Sequence, residues 1–254
     1  MPHPPRNTRA ATAVQQQEAA LVVFAKAPIP GQVKTRLCPP LTADEACTIH
    51  GSFVLDALER TKTAVSTFRL PVDRYLACAP SSTLAFFKVV EERQAVRLLD
   101  QQGDDLGARM NAACETLFTR GYRRVVIVGT DVPSLPLVYY RQAFELLGER
   151  DLVLGPAVDG GYYLIGLKAP IPDLFREIPW STDRVLQLTK EKAARAGLSI
   201  GCLSDWRDVD TIDDLKMLIE ASALDARKPK QEQSFSARTA GALQLLAKRL
   251  RSRT

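Results

Sequence analysis

Short, continuous apolar runs alternate with segments of helical periodicity from Leu21 onward. Runs such as "LVVF" and "VVIVG" show no polar alternation, which is typical of strands buried on both faces of a mostly parallel sheet. This pattern predicts seven strands, at Leu21–Ala25, Val72–Cys78, Val96–Leu99, Arg124–Val128, Leu152–Leu154, Tyr162–Leu167 and Leu198–Leu203. Segments with an apolar stripe predict six helices, at Thr42–Lys62, Ser82–Glu92, Asp105–Arg120, Pro136–Leu147, Thr182–Ala196 and Ile212–Ser222.

This repetition of strand, helix and strand predicts a three-layer α/β/α domain with a mostly parallel mixed sheet. Two of the helix starts carry recognisable caps. "TADE" at Thr42–Glu45 is a capping box, and Thr211 with Asp214 repeats the device in its acidic form. The chain contains no internal repeat, so a solenoid or propeller is not indicated.

Composition narrows the class of protein. The 254 residues are 46% hydrophobic and 25% charged, which suits one large globular domain or two small ones. No apolar run approaches the roughly 20 residues that cross a bilayer, and the N-terminal segment lacks the apolar centre of a secretory signal. Five scattered cysteines without a C-x-x-C pair argue against a zinc site or a disulfide framework, so we expect a cytoplasmic protein.

The basic character of the chain is concentrated in its last segment. The formal net charge is +5, but residues 226–254 carry eight basic residues and one acidic residue, which leaves −2 for residues 1–225. Nucleic-acid binding by the main domain is therefore disfavoured, because its surface has no excess of positive charge.

Residues 19–224 are predicted to form the main domain, with a different character at each end. Residues 1–18 are rich in Pro, Gln, Thr and Ala and are expected to be disordered, a transit peptide being the less favoured alternative. Residues 225–254 are predicted to form a basic linker and a short amphipathic helix. That helix either docks on its own domain, which we favour, or touches acidic lipid or a partner.

Charged residues follow the predicted strands at the points where they end. In open α/β sheets ligands bind outside the carboxyl ends of the strands, so these residues are candidates for a site. Cations follow the first strand and carboxylates follow three later ones: Lys26, Lys34, Arg36, Asp131, Asp159, Asp205, Asp208 and Asp210. The simplest chemistry that needs both signs is a polyphosphate held by Lys and Arg beside a divalent ion held by carboxylates.

Several of these carboxylates also have a purely structural interpretation. Asp131 suits a turn, "DGG" at 159–161 suits a hairpin, and Asp208 or Asp210 suits the start of a helix. The loop "APIPG" has too few glycines for a phosphate-binding loop, and no G-x-G-x-x-G follows a strand. His3 and His50 are poorly placed for base catalysis, so a carboxylate would have to serve as any base.

Six blocks in order, spanning about Leu21 to Glu220, resemble the DUF2064 family. They are "FAKAPIPGQVKTRLCPPLT", "DQQGDDLGARMNAA", "VVIVGTDVPSLP", "LGPAVDGGYYLIGL", "IPWST" and "DVDTIDDL". That family is labelled a glycosyltransferase of the nucleotide-diphospho-sugar transferase type. The resemblance implies a Rossmann-like GT-A fold, a nucleotide sugar or NTP as substrate with a small-molecule acceptor, and Mg²⁺ or Mn²⁺ as cofactor.

The blocks are also similar, more distantly, to 2-phospho-L-lactate guanylyltransferase and the molybdenum cofactor nucleotidyltransferases. The resemblance implies that Lys26, Lys34 and Arg36 hold phosphate. It implies a metal at Asp131 with a further contact from Asp208 or Asp210.

The remaining blocks supply the rest of the implied site. Gly103–Arg109, with Asp105 and Arg109, would lie near the base or ribose. Asp159, Gly160 and Gly161 would border the acceptor or sugar, and Trp180 with Ser181 would form an acceptor-side loop. Lys34, Asp131 and Asp159 are the implied catalytic residues.

Two departures from these families keep three functions open. The GT-A metal motif is D-x-D, whereas "GTDVP" has one carboxylate, and the opening loop is proline-rich where the nucleotidyltransferases have glycines. Glycosyl transfer from a nucleotide sugar is the first hypothesis. The second is a nucleotidyltransferase that joins an NTP to a small phosphorylated or hydroxy acceptor. The third is a non-catalytic nucleotide-binding module.

Overall fold

The structure is a computed structural model, and it describes residues 17–251. The predicted disorder of residues 1–18 therefore lies outside the described residues except at Gln17 and Glu18. The carbonyl oxygen of Glu18 accepts a 2.8 Å hydrogen bond from the backbone N–H of Arg123, directly before the first strand.

A seven-stranded sheet forms the middle layer, and its strand order is β3-β2-β1-β4-β6-β5-β7. The strands are β1 (Ala19–Lys26), β2 (Val72–Ala79), β3 (Arg97–Asp100), β4 (Arg124–Val128), β5 (Leu152–Pro156), β6 (Tyr162–Leu167) and β7 (Ile200–Cys202). Strand β6 runs antiparallel to both β4 and β5, and all other pairs are parallel. The predicted mostly parallel mixed sheet is thus confirmed.

Seven α-helices accompany this sheet within residues 17–251. They are α1 (Ala43–Phe68), α2 (Ala85–Gln94), α3 (Leu106–Thr119), α4 (Leu137–Glu149), α5 (Val185–Arg195), α6 (Ile212–Asp225) and α7 (Ala237–Arg251). Short 3-10 helices occur at Thr35–Leu37, Pro172–Leu174 and Lys230–Glu232. Over the same residues, no helix combines the length and the apolar character that spanning a membrane requires.

Several helix boundaries differ from the predicted ones, and three of these differences have local reasons. Helix α1 continues six residues beyond Lys62 to Phe68, because Ala64 extends its buried face and Arg69 closes the helix in a left-handed conformation. Helix α2 starts after Leu84, since the hydroxyl of Ser81 binds the backbone N–H of Thr83 in a turn. In a similar turn, the backbone N–H of Arg184 donates to the hydroxyl of Thr182, and α5 begins after it at Val185.

Both predicted capping boxes are confirmed. The hydroxyl of Thr42 accepts from the backbone N–H of Glu45 at 3.2 Å, and the Glu45 carboxylate accepts from the N–H of Thr42 at 2.8 Å. Thr211 and Asp214 make the same reciprocal pair at 3.3 Å and 2.9 Å. These bonds fix the starts of α1 and α6, which directly follow two of the predicted site segments.

Alternate residues of β1 face opposite helix layers. Leu21 and Val23 pack in one core cluster with side chains of α1, α2 and α4, whereas Ala20 and Val22 pack in a second cluster with α3 and α5. This alternation is why a continuous apolar run is needed in a central strand. The three-layer α/β/α architecture predicted from the sequence is therefore the observed one.

Helix α7 docks on its own domain, the favoured of the two alternatives. Its buried residues Leu243 and Leu246 belong to a third core cluster that includes side chains of α1 and α6. The apolar face of α7 is thereby covered within the chain.

Candidate active site

A cleft of about 710 Å³ lies along the carboxyl ends of the parallel strands. Its lining includes eight charged side chains predicted for the site, which come from four separate segments: Lys26, Lys34, Arg36, Asp105, Arg109, Asp131, Asp208 and Asp210. The predicted Asp159, Gly160 and Gly161 are not among the lining residues. The rule that polar residues after strands converge on one edge of the sheet therefore holds for this chain.

The loop between β1 and α1 turns Lys34 towards the sheet. Lys34 has φ 50° and ψ 36°, a left-handed conformation that is uncommon for a residue other than glycine, and it caps the 3-10 helix at Thr35–Leu37. Leu37, at the end of this helix, is fully buried. The left-handed residue and the buried leucine together fix the path of the loop.

Lys34 is buried between two carboxylates. Its side chain is 5% exposed, and its Nζ lies 2.7 Å from Asp131 Oδ1 and 2.8 Å from Asp210 Oδ1. The same ammonium donates to the carbonyl oxygen of Val209 at 2.6 Å. Burial alone would lower the pKa of Lys34, but the two carboxylates outweigh it and raise the pKa above 10.5, so the ammonium stays charged.

This arrangement assigns Lys34 a different contact from the one the resemblance implied. The ammonium donates hydrogen bonds to Asp210 Oδ1 and to the Val209 carbonyl oxygen, and it forms an ion pair with Asp131. Lys34 therefore joins the β1–α1 loop to the segments at 131 and 209–210. Its role in phosphate binding stays a prediction.

Asp159, Asp208 and Asp210 form a cluster of carboxylates. One oxygen from each lies within 4.8 Å of the others, a spacing that could hold a metal ion. Burial raises the pKa of Asp208 to about 7, and the negative charges of Asp159, Asp210 and Asp131 add to the rise. Asp131 is outside this group of three, so its assignment as a metal ligand stays a prediction.

The turn between β5 and β6 is both a hairpin and part of the site. The backbone N–H of Gly161 donates to Asp159 Oδ1 at 2.8 Å, which orients this carboxylate. Gly160 has φ 91°, and a Cβ there would overlap the carbonyl oxygen of Asp183. The carbonyl of Gly160 accepts from the N–H of Leu186 at 2.9 Å, so the turn is fixed against the start of α5.

Three further cations line the cleft together with Lys34. Lys26 is exposed at the end of β1, and the Arg36 side chain is 61% exposed, with its NH1 3.6 Å from Asp210 Oδ2. Arg109 is half-buried, and its Nε donates to the carbonyl oxygen of Gly103 at 2.9 Å. These side chains face the cleft with donors left over for an anionic ligand.

Asp105 has a structural function in addition to any contact with a ligand. Its Oδ1 accepts a 2.7 Å hydrogen bond from the backbone N–H of Ala108 and caps the start of α3. Its predicted proximity to a base or ribose is compatible with its place in the cleft lining, and it stays a prediction.

Two further residues line the cleft, of which the sequence analysis set His50 aside as poorly placed for base catalysis and did not single out Gln101. His50 of α1 is buried, and its Nε2 lies 3.0 Å from the carbonyl oxygen of Lys26. Burial lowers the pKa of His50, which favours the neutral ring with Nε2 as the donor. Gln101, directly after β3, donates to the carbonyls of Ala25 and Ala77 at 3.2 Å and 2.9 Å. The strand-end rule could have found Gln101, whereas His50 is one polar position in a long helix.

Two aromatic side chains, Tyr162 and Trp180, contribute to the cleft lining. The Trp180 and Tyr162 rings pack edge to face with centroids 6.4 Å apart. Trp180 also lies directly over Gly107, where a Cβ would overlap the indole. Ser181 follows with φ 65°. Trp180 and Ser181, predicted to form an acceptor-side loop, both line the cleft.

Comparisons with solved structures place this architecture among nucleotide-handling transferases. A proposed nucleotide-diphospho-sugar transferase from Desulfovibrio desulfuricans G20 is 34% identical, with a TM-score of 0.79 over 93% of this chain and 98% of its own.

Two more distant structures share the fold alone. A CMP:2-keto-3-deoxy-manno-octonic acid synthetase complexed with CTP is 11% identical, with a TM-score of 0.51 over 82% of this chain and 99% of its own. A cytidylyltransferase from Leptospira borgpetersenii serovar Hardjo-bovis (strain JB197) is 12% identical, with a TM-score of 0.51 over 92% and 95%.

The family comparison agrees with the resemblance seen in the sequence. Residues 64–182 match the model of DUF2064, a family described as uncharacterised proteins conserved in bacteria. Among curated proteins, none matches the chain. Together with the 34% identity to the Desulfovibrio protein over nearly the whole chain, this match shows that the chain belongs to the DUF2064 family.

Proposed function

We propose that this protein is a transferase that uses a nucleotide sugar and transfers the sugar to a small-molecule acceptor, with a divalent metal as cofactor. The observation that carries the proposal is that exposed Lys26 and Arg36 line the same cleft as Asp208 and Asp210, which form a cluster of three carboxylates with Asp159. The relationship to the proposed sugar transferase of Desulfovibrio desulfuricans supports the choice of donor.

The carboxylate cluster suits a divalent ion. Three carboxylate oxygens lie within 4.8 Å of one another, and the pKa of Asp208 is raised to about 7 by burial and by its acidic neighbours. A cation would relieve this repulsion, and Mg²⁺ usually takes one or two carboxylates together with phosphate oxygens. We assign the metal to Asp208 and Asp210. Mg²⁺ or Mn²⁺ bound there would supply positive charge beside the diphosphate of the donor.

The cations of the cleft would bind the nucleotide diphosphate that leaves during glycosyl transfer. Arg36 can present two parallel N–H groups to phosphate oxygens, and Lys26 adds a point charge at the end of β1. Positive groups already in place stabilise negative charge that develops on the leaving diphosphate, which is commonly the largest contribution to catalysis in such transfers. Lys34 would keep Asp131 and Asp210 in position.

Asp159 is the carboxylate that we assign as the proton acceptor. It is the most exposed of the three in the cluster, and its turn packs against the segment that carries Trp180 and Ser181. An acceptor hydroxyl bound on that side would lie within reach of Asp159, which would take its proton during attack on the sugar.

Nucleotidyl transfer is the second candidate, and one observation favours it. The end of β4 carries a single carboxylate in "TDVP" in place of the D-x-D of GT-A enzymes. In that reaction an acceptor oxygen attacks the α-phosphate of an NTP and pyrophosphate leaves. The same cations and metal would then hold a triphosphate.

The products distinguish the candidates. The protein is incubated with Mg²⁺, a panel of UDP-, GDP- and dTDP-sugars or the NTPs, and small hydroxy acceptors, and released phosphates are separated by ion-exchange chromatography. We expect a nucleoside diphosphate from a nucleotide sugar. Pyrophosphate released from an NTP would favour nucleotidyl transfer. Nucleotide binding without either product would instead favour a non-catalytic module.

A further inference from the structure

Helix α7 packs directly behind the candidate site. Leu243 and Leu246 lie in one cluster with Leu37, which ends the 3-10 helix after Lys34, and with Val209, which separates Asp208 from Asp210. Leu37, Val209 and Leu243 are each at most 1% exposed. The C-terminal helix therefore shares a core with the two segments that carry the buried lysine and the metal-site carboxylates.

Val209 connects this core to the polar site. Its backbone N–H donates to the carbonyl of Asp131 at 3.0 Å, and its own carbonyl accepts from Lys34 Nζ at 2.6 Å. Its side chain meanwhile points into the cluster with Leu243. A shift of the Val209 side chain would therefore move the backbone that orients Lys34 and the neighbouring carboxylates.

Polar contacts hold α7 in this place from both ends. Asp56 of α1 is 2% exposed and accepts hydrogen bonds from Ser236 Oγ at 2.7 Å and from Arg238 NH1 at 2.8 Å. Near the other end of α7, Arg249 donates to the carbonyl of Pro40 at 3.2 Å, in the loop that follows Leu37. Polar contacts at both ends and apolar contacts along one face therefore make α7 an integral part of the folded domain.

We infer that α7 is a positioning element of the site, and that Leu243 is a positioning residue acting through Leu37 and Val209. The structural order of the segments around Leu37 and Val209 depends on α7, and this dependence holds whether or not the reaction is the proposed one. Only the consequence for metal binding rests on the proposed function.

The test compares Leu243→Ala with Leu245→Ala. Leu245 is on the same helix but is 69% exposed, so the two variants lose the same atoms from different surroundings. Amide hydrogen exchange is followed by mass spectrometry in peptides covering 33–41 and 205–212. We expect exchange in both peptides to be faster by about tenfold or more in Leu243→Ala and unchanged in Leu245→Ala. Leu243→Met should restore most of the protection, since its volume is similar.

Metal binding provides the second measurement. Mn²⁺ alone is titrated and followed by electron paramagnetic resonance, and the dissociation constant should rise about tenfold in Leu243→Ala, as for residues that support metal ligands. If Leu243→Ala does not fold, Leu243→Val gives the same comparison with a smaller truncation.

The inference would be overturned if exchange became faster in α7 while residues 33–41 and 205–212 kept wild-type rates. Equal Mn²⁺ affinity in the wild type and Leu243→Ala would also contradict it. If the wild type bound no Mn²⁺, the proposed metal site would fail, and exchange alone would decide whether α7 positions the two segments.

Discussion

Replacing Lys34 by Met removes the ammonium that joins three segments of the site. Its Nζ lies 2.7 Å from Asp131, 2.8 Å from Asp210 and 2.6 Å from the carbonyl of Val209. Methionine keeps most of the aliphatic volume, removes the cation that pairs with Asp131, and leaves Asp210 with only the exposed Arg36 as a cationic neighbour. The substitution therefore tests the ion pair and not the packing.

The expected loss of stability follows from the exposure of the partners. Removing one partner of a fully buried ion pair costs about 3–5 kcal/mol. Asp131 and Asp210 are 39% and 34% exposed, so water recovers part of this cost and we expect about 2 kcal/mol. For a domain of this size that corresponds to a fall in Tm of roughly 4–8 °C.

The assay is thermal unfolding of the wild type, Lys34→Met and the control Lys88→Met at pH 7.5 and low salt. Lys88 forms an exposed pair with Glu91 at 3.4 Å, so its loss should change Tm by about 1 °C or less. Since the pKa of Lys34 is raised above 10.5, its contribution should persist up to that pH and be lost above it. Added Mg²⁺ should stabilise Lys34→Met more than the wild type. A Tm for Lys34→Met equal to that of Lys88→Met would refute this account of Lys34.

Three further outcomes are expected. The pKa of Asp208 is about 7 in the folded protein and 3.8 ordinarily, so the wild type loses folding stability as the pH rises from about 4 to 7. In urea titrations, the stability of Asp208→Asn relative to the wild type should therefore increase across that pH range. A stability difference that stays constant with pH would contradict this. Gly160 has φ 91° and lies against the carbonyl of Asp183, so Gly160→Ala should lower the free energy of unfolding by about 1–3 kcal/mol or more in the same titrations. The control Gly148→Ala, with open space around the new methyl group, should be neutral or stabilising. Arg36→Gln should raise the KM for the nucleotide substrate about tenfold, because the variant would lose charged hydrogen bonds to the bound substrate. Its Tm should change by no more than about 1 °C, since the Arg36 side chain is exposed. An unchanged KM would remove Arg36 from the site.

The sequence predicted the layers of this fold because a strand buried on both faces needs a continuous apolar run. Arg124–Val128 and Tyr162–Leu167 were predicted with the observed boundaries. The apolar pattern of β6 does not give its direction, since parallel and antiparallel strands in a covered sheet have the same pattern. The signal for its antiparallel pairing with β5 is the "DGG" turn at 159–161, which suits a hairpin. The end of α1 was missed because Arg69 closes it in a left-handed conformation without a glycine.

The sequence predicted which charged residues meet at the candidate site, but it did not predict how they pair. Position after a strand is a property of the sequence, and it brought the cations and carboxylates to one edge. The pairing of Lys34 with Asp131 and Asp210 depends on the left-handed backbone of Lys34, for which the residue type gives no signal. The proximity of the Asp159 carboxylate to those of Asp208 and Asp210 similarly depends on how the β5–β6 turn packs against the start of α5.

Carboxylates and cations of one cleft are proposed to bind a metal and a nucleotide diphosphate together. The most direct measurement is isothermal titration calorimetry of UDP-, GDP- and dTDP-sugars into the wild type and Asp208→Asn, each with and without Mg²⁺. We expect the wild type to bind at least one of these sugars more tightly with Mg²⁺ and Asp208→Asn to lose that metal dependence. No binding of any of them, or the same affinity in all four conditions, would contradict the account.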